Sequence, residues 1–121
     1  MYYLILIPYA TRELVQVIPQ SQIFETKEEL ILHTLLDRHS RTILSVTKDE
    51  ALTALKISEN CNIPLSTVYR RLQLLRKLHF LHVSCTIRQD GKKLLSFQNK
   101  ISGIDISWDQ GQLQINTRMT Q

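Results

Sequence analysis

The segment that most constrains this chain runs from Asn62 to Leu78. Pro64 pushes Ile63 toward extended angles but fits at the start of a helix. Behind it, Leu65, Val68, Leu72, Leu75 and Leu78 recur at three- and four-residue spacing as one apolar stripe. The spacing predicts a helix over 65–78, buried along that stripe. Ser66, Thr67, Tyr69, Arg70, Gln73, Arg76 and Lys77 fall on its other sides. Arg71 falls at the edge of the stripe, where it meets an acid or a phosphate. Ahead of the turn at 62–64, Thr53 offers an N-cap for a short helix over 54–61, with Leu55 and Ile57 facing inward.

Further helices precede this pair. Thr26-Lys-Glu-Glu29 has the pattern of a capping box, and Leu30, Ile31, Leu35 and Leu36 make one stripe, so a helix is expected over 27–37. The break at 37–40 leaves Ser40 to cap a second short helix through Ile43, Leu44 and Val46. Thr47-Lys-Asp-Glu50 is another possible capping box, which either starts the next helix early or caps only a turn.

After Leu78 the period changes from helical to two. Val83, Cys85 and Ile87 alternate with His82, Ser84, Thr86 and Arg88 over 81–88, and a partner strand is expected over 92–98. Gln89-Asp-Gly91 is the turn between them, with Gly91 free to take positive φ. A second hairpin is expected beyond it. Ile104, Ile106 and Trp108 alternate with polar residues, Asp109-Gln-Gly111 turns, and Leu113 and Ile115 continue the apolar face, which must cover something. At the other end, residues 2–7 (Tyr-Tyr-Leu-Ile-Leu-Ile) suggest a strand buried on both faces, and residues 13–18 a hairpin partner. The chain thus divides into an N-terminal strand or hairpin appendage (1–25), a central domain (26–98) and a C-terminal β-hairpin extension (99–121). The fold class is α+β.

Charge is concentrated in one stretch. Residues 61–100 hold eight Lys or Arg against one acid, Asp90, whereas residues 1–60 hold six against eight. A basic segment of that kind suits a polyanion partner. The 121 residues carry no apolar run near the ~18 a membrane span needs. The opening MYYLILIPYA lacks the positive n-region and cleavage site of a signal peptide. Two cysteines, Cys61 and Cys85, make no disulfide framework, and a reduced cytoplasmic setting is expected. Both are expected to act as small buried hydrophobes. No Gly-rich phosphate loop, nucleophile elbow or paired histidine on a helix face points to an enzyme. His79-x2-His82-x2-Cys85 is the one ligand-like spacing, and strand alternation sends His82 and Cys85 to opposite faces. No metal and no cofactor is expected.

Two helices joined by a short turn, the second rich in Ser, Thr, Tyr and Arg, describe a helix-turn-helix. The hairpin directly after occupies the place of a wing. Here the chain resembles the winged helix-turn-helix regulators of prokaryotes and archaea, particularly the ArsR-like and MarR-like group. The resemblance rests on the segments at 35–44, 53–59, 63–72 (Ile-Pro-Leu-Ser-Thr-Val-Tyr-Arg-Arg-Leu) and 75–81, and covers about 35–98. It implies a winged-helix core of three to four helices plus a hairpin wing, double-stranded DNA as partner, and transcriptional regulation as function. The recognition helix would be 65–78 and the wing about 82–98. Metal-sensing members of that group carry a Cys pair that this chain lacks. Its C-terminus also reads as β-hairpin where the family has a helix.

The outer helix face suits a major groove independently of the resemblance. Arg70 can grip guanine through two acceptors, Gln73 can pair with adenine, and the Thr67 methyl can touch thymine. Ser66 lies in the same sector, and Tyr69 can bond a phosphate. Arg88, Lys92 and Lys93 flank the Asp90-Gly91 tip and suit phosphates or the minor groove. Arg76 and Lys77 serve either DNA or the helix dipole. A homodimer is expected, because one helix and one wing cover few base pairs. Its candidate surfaces are the helix at 27–37, the strand at 2–7 and the Ile104/Trp108/Leu113 ribbon. The alternative function is a winged-helix protein-interaction module without specific DNA binding.

Overall fold

A computed structural model of the chain describes residues 26–120. The expected strands at 2–7 and 13–18, and with them the 1–25 appendage, lie outside the described residues. Four helices come first: α1 (Lys27–Leu36), α2 (Arg38–Val46), α3 (Ala54–Cys61) and α4 (Leu65–Lys77), with a short strand β1 (Leu52–Thr53) before α3. Strands β2 (Leu81–Ile87), β3 (Lys93–Asn99), β4 (Ile101–Asp109) and β5 (Gln112–Met119) follow. The fold class is α+β, as expected. No helix among the described residues is long and apolar enough to cross a membrane.

Local chemistry sets the helix boundaries. The Thr26 hydroxyl accepts from the Glu29 amide at 3.1 Å and starts α1. One residue, Asp37, separates α1 from α2 and caps the second helix, its Oδ2 accepting from the Ser40 amide at 2.9 Å. Ser40 was the expected cap. It instead sits fully buried in the first turn, and its own hydroxyl donates to the same Asp37 oxygen at 2.8 Å. Thr47 does not open a helix. Its hydroxyl donates back to the Ile43 carbonyl at 2.7 Å and closes α2. Thr53 caps α3 as its position predicts, accepting from the Lys56 amide at 3.1 Å.

The end of α4 has no glycine, yet it closes in a Schellman motif. The Phe80 amide donates to the Leu75 carbonyl and the His79 amide to the Arg76 carbonyl, both at 3.0 Å. His79 takes the left-handed position, φ 63°. Phe80 and Leu75, which bracket the motif, are both fully buried, so the cap doubles as the point where the chain turns from helix into β2.

The core gathers Ile31, Ile43, Ile57, Ile63, Val68, Leu72, Leu75, Leu78, Phe80 and Leu81 from the helices and their exits, with Leu52 and Phe97 from the sheet. Three stripe assignments need correction. Leu36 is 57% exposed at the end of α1, Leu65 is 37% exposed and Leu55 is 55% exposed; Ile63 and Ala54 hold the buried places beside the last two. Three strands form one antiparallel sheet in the order β1-β3-β2, with Leu52 opposite Phe97 and Val83 opposite Phe97 on the other side. β1 has no counterpart in the sequence reading.

Strands β4 and β5 form a separate two-stranded sheet. Gln110 and Gly111, at φ 51° and 79°, make its two-residue turn, the backbone combination of a type I′ hairpin. Ile104 and Ile115 pack against the core, and α1 touches β5. Farther out on the same face, Ile106 and Trp108 remain exposed, so the ribbon covers the core at its base only. Cys85 is also exposed and Cys61 half-buried, against the expectation of two buried thiols.

His79→Gly should raise the unfolding free energy by roughly 0.5–1 kcal/mol. Relief of the ~1–2 kcal/mol left-handed cost exceeds the extra chain entropy that glycine brings to the unfolded state. Urea denaturation of the two proteins measures it; a loss of stability would show that the His79 side chain contributes more than its backbone costs.

Candidate nucleic-acid interface

Helix α4 is seated by three things. Val68, Leu72 and Leu75 are buried along one side. Pro64 precedes its first residue with no side-chain cap. Arg71, at the margin of the stripe, reaches the α1–α2 junction, where its Nε lies 2.7 Å from Asp37 Oδ2 and its Nη2 3.4 Å from Oδ1. The sequence left Arg71 between an acid and a phosphate, and the acid has it. Both side chains are less than a third exposed, so this two-point pair is better shielded than a surface ion pair.

Asp37 therefore serves two helices at once, as cap for α2 and counter-charge for α4. Burial by itself would raise its pKa. Hydrogen bonds from the Ser40 hydroxyl and amide and from Arg71, with the Arg71 charge, outweigh burial and hold it below the ordinary 3.8. Burial likewise pushes His33 down from its usual 6.5.

With the stripe and Arg71 turned inward, the opposite side of α4 faces solvent. At about 100° per residue, Ser66, Tyr69, Arg70 and Gln73 share that side, and Arg76 and Lys77 extend it into the last turn. All six are exposed. Thr67 stands at the margin and is half-buried, a shift from the single exposed sector expected for it. Its hydroxyl accepts a long 3.5 Å hydrogen bond from Arg70 Nη2. That bond spends one donor of the exposed Arg70 fork, and no other side-chain bond among the described residues takes the rest. Among the described residues, Ser66, Tyr69 and Gln73 make no side-chain hydrogen bond, so their polar atoms are available to a partner.

The second group sits on the β2–β3 turn. The Gly91 amide donates to the Arg88 carbonyl at 2.9 Å and the Arg88 amide to the Lys92 carbonyl at 2.8 Å. With Gly91 at φ 83°, this is a three-residue turn closed by a glycine bulge. Asp90 organises it: Oδ1 accepts from the Lys92 amide at 3.0 Å and Oδ2 lies 3.5 Å from Arg88 Nη2. The Arg88 charge is thus partly answered within the turn. Lys92 and Lys93 are exposed and have no ion-pair partner among the described residues.

The predicted site residues therefore fall into two groups, Ser66, Tyr69, Arg70 and Gln73 on α4 with the half-buried Thr67 at their margin, and Arg88, Lys92 and Lys93 on the hairpin. No hydrogen bond or ion pair between described residues joins the two groups. Among the described residues, no three His, Cys, Asp or Glu side chains converge as a metal ion would need.

Asp37→Asn keeps a capping oxygen but removes the charge, and should cost about 1–3 kcal/mol at pH 7. The folded pKa of Asp37 is depressed, so this stabilisation is present above the unfolded value near 3.8 and lost as pH falls through the lower folded one. Urea titrations at pH 7 and at successively lower pH should show the gap between wild type and Asp37→Asn closing in acid. A constant gap would mean that the carboxylate charge is not what stabilises the junction.

The sequence matches no protein-family model and no curated protein.

Proposed function

We propose that residues 26–98 are a winged helix that binds double-stranded DNA sequence-specifically and regulates transcription in the cytoplasm, with α4 in the major groove and the β2–β3 hairpin as the wing. The observation that carries this reading is the outer side of α4. A helix held by its stripe and by Arg71 presents Ser66, Tyr69, Arg70 and Gln73 together on its exposed side, with one long bond from Arg70 to Thr67 as their only side-chain hydrogen bond among the described residues. These are the side-chain types that read base edges and phosphates. The order α1, α2, β1, α3, α4, β2, β3, with β1 beside β3, is compatible with a winged helix. The excess of cations over acids in 61–100 supplies the sequence-independent attraction to phosphate.

The wing contributes charge more than base selection. Its lysines lie at a turn, where side chains are held in register less firmly than on a helix. Asp90 lowers the net charge of that turn. A homodimer belongs to the same reading, because two-fold repetition doubles the few base pairs that one helix and one wing reach. A protein-interaction module is the second reading, and one observation favours it: Trp108 and Ile106 are 72% and 45% exposed on one face of the β4–β5 ribbon.

Random-sequence selection with the purified protein identifies the cognate site, and salt-dependent binding then separates the arms. Arg70→Ala should cost ~1–3 kcal/mol on that site and relax preference at one base pair. Replacing Lys92 and Lys93 together by Ala should weaken cognate and random duplexes alike and flatten the salt slope by about two units. Equal loss on all sequences for Arg70→Ala would reverse the assignment of roles. No duplex binding even at low salt would leave the interaction module as the reading.

Asp90→Asn keeps an oxygen for the Lys92 amide and removes the acid of the turn. It should tighten binding to any duplex, by about two- to fivefold at low salt, with the gain fading as salt screens it. Unchanged affinity would place the hairpin turn away from the DNA.

A further inference from the structure

The two sheets are joined by one residue, Lys100, between Asn99 of β3 and Ile101 of β4. Backbone hydrogen bonds fix this junction. The Lys100 amide donates to the Phe80 carbonyl at 3.0 Å, and the Lys100 carbonyl accepts from the Thr120 amide at 2.8 Å. The Asn99 amide donates to the Thr47 carbonyl at 3.0 Å. The Asn99 side chain donates to the Leu44 carbonyl at 3.0 Å and accepts from the Ile101 amide at 2.8 Å. The Gln98 side chain makes a longer bond, 3.5 Å, to the Lys48 carbonyl. The end of α2 and both sheets are thereby tied around a groove of about 520 Å³, lined by Lys48, His82, Gln98, Asn99, Lys100 and Thr120.

Among the described residues, that lining holds two lysines and a histidine and no carboxylate. The hydrogen bonds described above occupy Gln98 and Asn99, and the Thr120 hydroxyl donates to the Lys100 carbonyl at 3.2 Å. The side chains of Lys48, His82 and Lys100 have no hydrogen-bond or ion-pair partner among the described residues. Lys100 is half-buried, and two lysines that line one groove with no counter-charge among the described residues favour an anion beside them. Asp49 and Glu50 follow Lys48 in the chain but are not part of the lining.

We propose that this groove is a phosphate-binding site, with Lys48 and Lys100 supplying charge and His82 a further donor. Three donor groups that line one groove and have no partner among the described residues match the several acceptor oxygens of a phosphate group, and the volume accommodates a phosphorylated small molecule. The assignment is independent of the reading of α4. The phosphate belongs either to a free small anion or to a nucleic-acid backbone.

The test is amide NMR of the full chain titrated with inorganic phosphate, against chloride at matched ionic strength. Saturable shifts are expected at residues 48, 82, 98–100 and 120, without comparable shifts on α4. Lys100→Gln and Lys48→Glu should each weaken the phosphate midpoint about five- to tenfold. Lys48 is exposed, so its variant reports on binding even where Lys100→Gln perturbs the fold. A second titration adds a short duplex to the phosphate-loaded protein: displacement at these amides assigns the phosphate to DNA, and simultaneous occupancy assigns it to a free anion. Shifts that are absent, or that follow ionic strength equally in chloride, overturn the site whatever α4 does with DNA.

Discussion

The position of α4 depends on a carboxylate shared between two helices. Asp37 fills the one-residue gap between α1 and α2, where the α2 amides need an acceptor, and it also receives the Arg71 fork from a residue 34 positions away. Removing either demand would leave the other incomplete: without Arg71 a partly buried negative charge stands against only Ser40, and without Asp37 a partly buried guanidinium loses its counter-charge. Because the Arg71 Nε and Nη2 both engage it, the pair restricts rotation of α4 about its own axis as well as its distance from α2. Rotation about the axis is what decides which residues face outward, so the exposure of Arg70 and Gln73 follows from the engagement of Arg71.

A second anchoring point lies where β3 ends and β4 begins. Asn99 gives its side-chain amide to the Leu44 carbonyl of α2 and its backbone amide to the carbonyl of Thr47, the residue that caps α2, then turns its side-chain oxygen to the first amide of β4. A single asparagine thus answers the unpaired carbonyls at the end of a helix and starts a new strand. The helices and the two sheets are held by polar contacts at these two places and by the shared core between them.

Features written in local chemistry were legible before any coordinates. The stripe of α4, the caps at Thr26 and Thr53, and the glycine turns at 91 and 111 each depend on residues within a few positions of one another. What escaped depends on distance in the chain. Ser40 has the chemistry of a cap, and only the pull of Arg71 on Asp37 makes clear which of the two residues performs it. Leu52–Thr53 is too short to show any period, and it is a strand only because β3 passes beside it. His79 gives no composition signal for a left-handed cap, since glycine is the usual mark; the burial of Phe80 and Leu75 requires the turn there. The outward residues of α4 were recovered from periodicity, with Thr67 displaced to the margin. The cluster of Lys48, His82 and Lys100 had no signature, because three separate segments meet only where Asn99 draws them together.

The brevity of β1 has a bearing on how this protein behaves when crowded with copies of itself. It pairs with β3 only at Ser96 and Phe97, so among the described residues the outer edge of β3 from Lys93 to Leu95 keeps open backbone donors and acceptors, as does the free edge of β2. Open edges are templates for strand addition between molecules. Leu94, Leu95 and Ile87 are exposed there and would make such stacking adhesive. The lysines at the tip oppose it by mutual repulsion between approaching hairpins. The basic turn therefore also acts as a guard against self-association, one that weakens as ionic strength rises and the repulsion is screened.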